Sequence, residues 1–211
     1  MLGMTKKYQI IYADPPYKFQ TFKDNTASRW VGNKYPLMRF DDLCVLPIPQ
    51  IADDNSALFL WVTMPFLNKG IELVGKWGFV YKTVAFTWIK TNTNSMGLFW
   101  GMGYYTRSNA ELCLLGIKGN PLERKSHSVH SVIMSPVQEH SKKPGIVREK
   151  IVELFGDLPR IELFAREKVE GWDVWGDEIE SDIELNEEHC NISRQRIGKW
   201  RETIGGEGRL F

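Results

Sequence analysis

The sequence predicts an α/β protein with a Rossmann-like fold, a mostly parallel sheet with helices on both faces, and three observations carry that expectation. Continuous apolar runs rich in β-branched and aromatic residues recur along the chain, the form taken by strands buried on both faces. Between them lie segments with apolar residues at helical spacing, with proline near the start and glycine past the end. Strands that alternate with helices in this way pair into an open sheet covered on both sides.

The first run, Tyr8–Ala13, stops at Asp14-Pro15-Pro16-Tyr17. Two prolines end a strand, because proline has no N–H for the ladder and forces its predecessor into an extended conformation. Asp14 therefore stands at the carboxyl tip of a strand, the edge where open α/β sheets bind ligands. Residues 18–34 keep no period and read as a long loop that closes on Asn33-Lys34-Tyr35-Pro36. A short helical piece at 40–43 and a break at Pro47 and Pro49 precede a strand at 57–63. A helix follows over 66–77, ended by Gly78, then a strand at 83–89. Residues 90–109, rich in Asn, Gly and aromatics, read as a second long loop, and 111–117 as the next strand. Residues 118–143 are polar and carry Arg124, Lys125 and three histidines. Pro144 opens a helix with Ile146, Val147, Ile151, Val152, Leu154 and Phe155 on its inner face, and Gly156 ends it. Strands at 160–165 and 171–176 complete the pattern, so the first strand and the late strand at 160–165 must meet to close a site. Residues 177–188 are strongly acidic; 191–204 then form a terminal amphipathic helix whose basic face is Arg194, Arg196, Lys199 and Arg201. That face reads either as solvated surface or as a contact for nucleic acid.

Composition narrows the classes. A chain of 211 residues with 43% apolar content and eight Trp is long enough to build a substantial core. Net charge of +1 gives no global basic field, so nucleic acid would have to be met by local patches. Three dispersed cysteines, Cys44, Cys113 and Cys190, suit a reducing compartment better than a disulfide framework. The seven residues before Tyr8 are too few for a signal peptide, and no apolar stretch is long enough to span a bilayer, so a cytoplasmic location and no membrane partner are expected. His127, His130 and His140 have no ligand spacing with Cys or carboxylates, so no metal is expected.

Chemically, Asp14 offers an acceptor-only carboxylate, Pro15 a carbonyl, and Tyr17 a flat aromatic face within four residues. That set is suited to gripping an exocyclic amine on a planar base. Five further segments follow in order: Leu58-Phe59-Leu60-Trp61-Val62-Thr63, Trp88-Ile89-Lys90-Thr91-Asn92, Gly116-Ile117-Lys118-Gly119-Asn120-Pro121, His140-Ser141-Lys142-Lys143-Pro144 and Ile161-Glu162-Leu163-Phe164. Together with Asp-Pro-Pro-Tyr, over about residues 8 to 179, they resemble the METTL-type N6-adenine methyltransferase family.

The resemblance implies a catalytic motif at Asp14, Pro15, Pro16 and Tyr17, and S-adenosyl-L-methionine as cofactor. Asp14, Lys143, Arg166, Asp177 and Glu178 would hold that cofactor: Lys143 its carboxylate, Arg166 its ribose, Asp177 and Glu178 its ribose or adenine. The family more often has Asn where Asp177 stands, and a carboxylate cannot donate to adenine nitrogens. A plain surface ion pair is the alternative role for Arg166 and Asp177. Tyr35 and Glu111 match positions that line the substrate adenosine pocket, with loop packing the alternative for Tyr35. By the same resemblance residues 1–179 form the methyltransferase domain and 180–211 an acidic linker with the terminal helix. The expected partner is nucleic acid, DNA before RNA because position 17 is Tyr rather than Trp, together with a second copy or a related subunit. A catalytically silent nucleic-acid-binding subunit and an N4-cytosine methyltransferase stand as the competing functions.

Overall fold

A computed structural model describes residues 6–17, 37–103, 105–138 and 142–185. Seven strands form one sheet: β1 (Tyr8–Ala13), β2 (Ala52–Thr63), β3 (Val80–Thr91), β4 (Ala110–Lys118), β5 (Val132–Pro136), β6 (Arg160–Leu163) and β7 (Asp173–Trp175). Their spatial order is β5-β3-β4-β2-β1-β6-β7. The first strand of the chain is thus internal, flanked in parallel by β2 and β6, and β7 extends the sheet beyond β6.

The expectation of a mostly parallel sheet needs correction, because the sheet is mixed. β4 runs antiparallel to both its neighbours, β2 and β3, whereas β3 pairs with β5 in parallel. The described residues of the connection from β3 to β4 contain no crossover helix, and a strand that returns directly beside its predecessor must run against it.

Among the described residues four α-helices flank the sheet: α1 (Phe40–Cys44), α2 (Ile48–Ile51), α3 (Leu67–Lys76) and α4 (Ile146–Phe155). The proline pair expected as a break instead opens α2, with Pro47 just before it and Pro49 in its first turn, where a missing N–H costs nothing. On one face Leu43, Ile48, Leu73, Val74 and Trp77 pack over Ile11, Leu58, Leu60, Leu114 and Ile161. On the other, Val147, Ile151 and Phe155 of α4 cover Ile10, Tyr12, Phe59, Trp61, Phe86 and Trp88. Each central strand feeds alternate residues to the two faces, which is why these strands read as unbroken apolar runs. Gly78 and Gly156, at φ 81° and 85°, end α3 and α4 in the left-handed region, as their places in the sequence predict.

The strand β5 lies inside the stretch 118–143 that the sequence presents only as polar. It is an edge strand on which Ile133 alone is buried, so it lacks the apolar alternation that would mark it. Past β7, the Val174 N–H donates to the Asp182 carboxylate and Ile183 and Leu185 pack on the core, so the chain folds back along β7. Tyr35, His140, Cys190 and the terminal helix at 191–204 lie outside the described residues.

Candidate active site

The site forms where the carboxyl ends of β1, β2 and β3 meet the amino end of the reversed β4. Tyr12, Cys113, Phe86 and Trp88 all point to the face covered by α4. By the period-two alternation of strands, Asp14, Glu111 and Lys90, each two residues away, project from that same face. Trp88 and Glu111 are direct partners in the β3–β4 ladder, so Lys90 and Glu111 are close neighbours by register. Lys143 comes from the segment leading into α4, which packs on this face.

The result is a chain of alternating charges. The Lys143 ammonium donates to Asp14 Oδ2 at 2.7 Å and meets Glu111 Oε2 at 3.2 Å. Lys90 donates to the other Glu111 oxygen, Oε1. Lys143 lies 5.6 Å above the ring of Trp61 and Lys90 4.9 Å above that of Trp88, so the indoles floor the cations. Lys143 and Glu111 keep only 10% and 11% of their side-chain exposure, whereas Asp14 keeps 29%, which makes Asp14 the member of the chain most open to a ligand.

Burial opposes the charge of Glu111, yet Lys143 and Lys90 together hold its carboxyl below the ordinary value. Burial likewise opposes Lys143, but Asp14 and Glu111 outweigh it and keep the ammonium protonated beyond the ordinary lysine range. Asp14 goes the other way: burial pushes its carboxyl up, and Lys143 only partly restrains the shift. It is therefore a stronger proton acceptor than a surface aspartate.

The Pro-Pro-Tyr backbone is fixed by its own hydrogen bonds. The Tyr17 N–H donates to the Pro15 carbonyl at 2.9 Å, and the Met38 N–H to the Pro16 carbonyl at 2.8 Å. The Pro15 carbonyl keeps a second lone pair for an incoming donor. Tyr17 is 5% exposed, with its ring 5.2 Å from that of Phe66 and its hydroxyl donating to the Trp61 carbonyl. Its ring belongs to the apolar cluster on the α3 side of the sheet.

Beyond β6 the chain turns at Phe164, whose φ of 61° places a bulky side chain in the left-handed region. Such strain persists only where packing enforces it, here by the edge-on contact with Trp175. Gly176 then crosses the backbone of Ala165 so closely that an added Cβ would lie 2.2 Å from the Ala165 carbonyl oxygen. That crossing sets Arg166 beside residues 177 and 178. Arg166 faces Glu178 at 3.8 Å, and its charge also reaches Asp14.

Sequence reasoning passed over Thr63, at the end of β2 opposite Glu111, whose buried hydroxyl oxygen has no hydrogen-bond partner among the described residues. Thr63 stands inside the Leu-Phe-Leu-Trp-Val-Thr segment, so the position was visible but its unsatisfied oxygen was not. These residues fit the implied cofactor. Cations at 143 and 166 suit a carboxylate and hydroxyls, and carboxylates at 14, 177 and 178 suit an ammonium and a ribose. Among the described residues no group of three His, Cys, Asp or Glu converges as a metal site. No helix among them is long and apolar enough to cross a membrane.

Comparison with known proteins shows the family. The chain is 37% identical over 190 residues to the Type II methyltransferase M.MunI of Mycoplasma sp, covering 82% of this chain and 78% of that protein. It is 32% identical to a probable N(6)-adenosine-methyltransferase MT-A70-like protein of Oryza sativa, and 30% identical to the N(6)-adenosine-methyltransferase catalytic subunit METTL3 of Homo sapiens. Each of these covers 76% of this chain, which spans only 21% and 26% of the two plant and human proteins. The MT-A70 family pattern matches residues 8–178, from the first strand to the acidic pair after β7, and the chain belongs to the MT-A70 family of N6-adenine methyltransferases.

Proposed function

We propose that this enzyme transfers a methyl group from S-adenosyl-L-methionine to the N6 amine of adenine in nucleic acid, with DNA preferred over RNA. The observation that carries the reading is the convergence of Asp14, Glu111 and Lys143, from three separate parts of the chain, on the carboxyl edge of the sheet. The cofactor supplies a methyl group on a sulfonium, which needs an in-line nucleophile and no metal.

The difficulty lies with the nucleophile, because the N6 lone pair is delocalised into the purine ring. Asp14 and the Pro15 carbonyl accept the two N–H bonds, turn the amine out of conjugation and stabilise the positive charge that develops as the N–C bond forms. Preorganised acceptors of this kind are commonly the largest contribution to a rate enhancement. Asp14, with its raised proton affinity, then takes the proton that N6 sheds. A duplex target has to be flipped out of the helix to reach this edge. Tyr35 and Glu111 line the adenosine pocket, while Lys143, Arg166, Asp177 and Glu178 hold the cofactor.

The long match to a Type II methyltransferase, against the partial overlap with the adenosine methyltransferases, supports DNA as substrate. The methyltransferase domain is read as residues 1–179, and the first part of the acidic stretch beyond it stays with that domain, because Ile183 and Leu185 pack on its core. The segment between β3 and β4 presents Trp100 at 59% exposure and a fully exposed Tyr105, in keeping with a partner or target there, either nucleic acid or a second subunit.

The test is nucleoside mass spectrometry of DNA and RNA incubated with the protein and labelled methyl donor. N6-methyladenine in DNA is expected, and D14A should reduce its formation by roughly 100-fold or more. N4-methylcytosine as the product, or near-normal activity of D14A, overturns the reading. Methylation confined to RNA overturns the DNA preference alone.

A further inference from the structure

Lys90 belongs to none of the roles so far assigned, yet it is as firmly held as the residues that do. Its backbone carbonyl accepts hydrogen bonds from the Phe99 N–H and the Asn109 side chain, both at 2.9 Å. Its ammonium rests over Trp88, whose own indole N–H is tied to the Ser135 carbonyl at 2.9 Å. From that fixed base it takes one oxygen of Glu111 and leaves the other to Lys143.

We propose that Lys90 is a positioning residue for methyl transfer, which keeps Lys143 shared between Glu111 and Asp14 by neutralising the far oxygen of Glu111. The proposal rests on the function given above. A carboxylate as buried as Glu111 is costly unless its charge is matched. With Lys90 in place two ammonium groups meet that charge, and Lys143 is left close enough to Asp14 to set its orientation. Without Lys90 the whole charge of Glu111 falls on Lys143, which is drawn toward Glu111 and away from Asp14. The cofactor carboxylate then finds Lys143 displaced, although Lys90 itself lies beyond its reach.

The experiment uses the full chain as K90M, K90R, E111Q and the double variant K90M/E111Q. Calorimetric titration with S-adenosyl-L-methionine is combined with initial rates in which methyl donor and DNA are varied separately. K90M is expected to weaken the donor's Kd, and kcat/KM for the donor, by roughly tenfold, while KM for DNA changes by less than about twofold. K90R should restore most of the loss. In the E111Q background K90M should add nothing, because residues that act through one another are non-additive. Three results overturn the proposal: losses that add in the double variant, a rise in KM for DNA at unchanged kcat, which makes Lys90 a nucleic-acid contact, or a K90M enzyme identical to wild type. Should K90M fail to fold, K90Q carries the same comparison, with unchanged donor affinity as the contrary result. A wild-type chain inactive on every nucleic acid counts against the proposed function, whereas an active wild type with an unchanged K90M counts against the positioning role only.

Discussion

Glu111 owes its charge to its neighbours, and that dependence can be read from pH. Because Lys143 and Lys90 hold its carboxyl below the ordinary value of 4.5, the folded protein binds this proton less readily than the unfolded chain. The stabilisation is therefore fully present above the ordinary value and is lost as pH falls through the lowered native one. E111Q should be less stable than wild type near neutral pH by about 1–3 kcal/mol, the cost of a buried hydrogen bond to charge. That gap should narrow steadily below about pH 4.5 in denaturant titrations; a gap independent of pH contradicts the assignment. At this scale much of the site was legible. Asp14 follows from a strand stopped by two prolines, whereas Lys143 was reached only through the family resemblance. What the sequence withheld was pairing: Lys90 and Glu111 lie apart along the chain and meet only through the β3–β4 register. Thr63 was hidden for the same reason, since an unsatisfied oxygen is a property of its surroundings.

Among the elements, α4 is bound to the sheet by more than apolar packing. Arg148 grips Glu162 of β6 in a fork, with N···O distances of 2.6 and 2.9 Å. Burial pushes the Glu162 carboxyl up and Arg148 only partly offsets it, so removing the arginine leaves a poorly solvated acid inside the fold. R148M should cost roughly 3–5 kcal/mol of unfolding free energy. The double variant R148M/E162Q should recover a large part of that loss, as judged by urea midpoints, and a double variant no better than R148M would refute the pairing. Helices α3 and α4 and strands β1, β2, β4 and β6 were visible as periodicity or as apolar runs. β5 was not, because an edge strand with one buried side chain has no pattern to show. The direction of β4 was also beyond reach, and it matters most. In a parallel strand Glu111, near the start of β4, would lie at the wrong edge of the sheet. Only the reversal of β4 brings that first turn of sequence to the edge where Asp14 stands.

For the whole molecule, the site is a closure between distant parts of the chain. Asp14 is near the beginning, Arg166 and Glu178 are past β6 and β7, and the placement of β1 between β2 and β6 brings them together. A ligand that bridges these residues ties the two ends of the fold to each other. S-adenosyl-L-methionine at about 100 times its Kd should therefore stabilise the protein by about 2.7 kcal/mol, seen as a rise in Tm. K143M should show little of this rise, and an equal rise in K143M would remove Lys143 from the cofactor site. The short bridge between Tyr17 and Met38 has a separate consequence. Those two residues sew together the margins of the excursion that leaves the catalytic motif, so the motif is braced whatever lies between them.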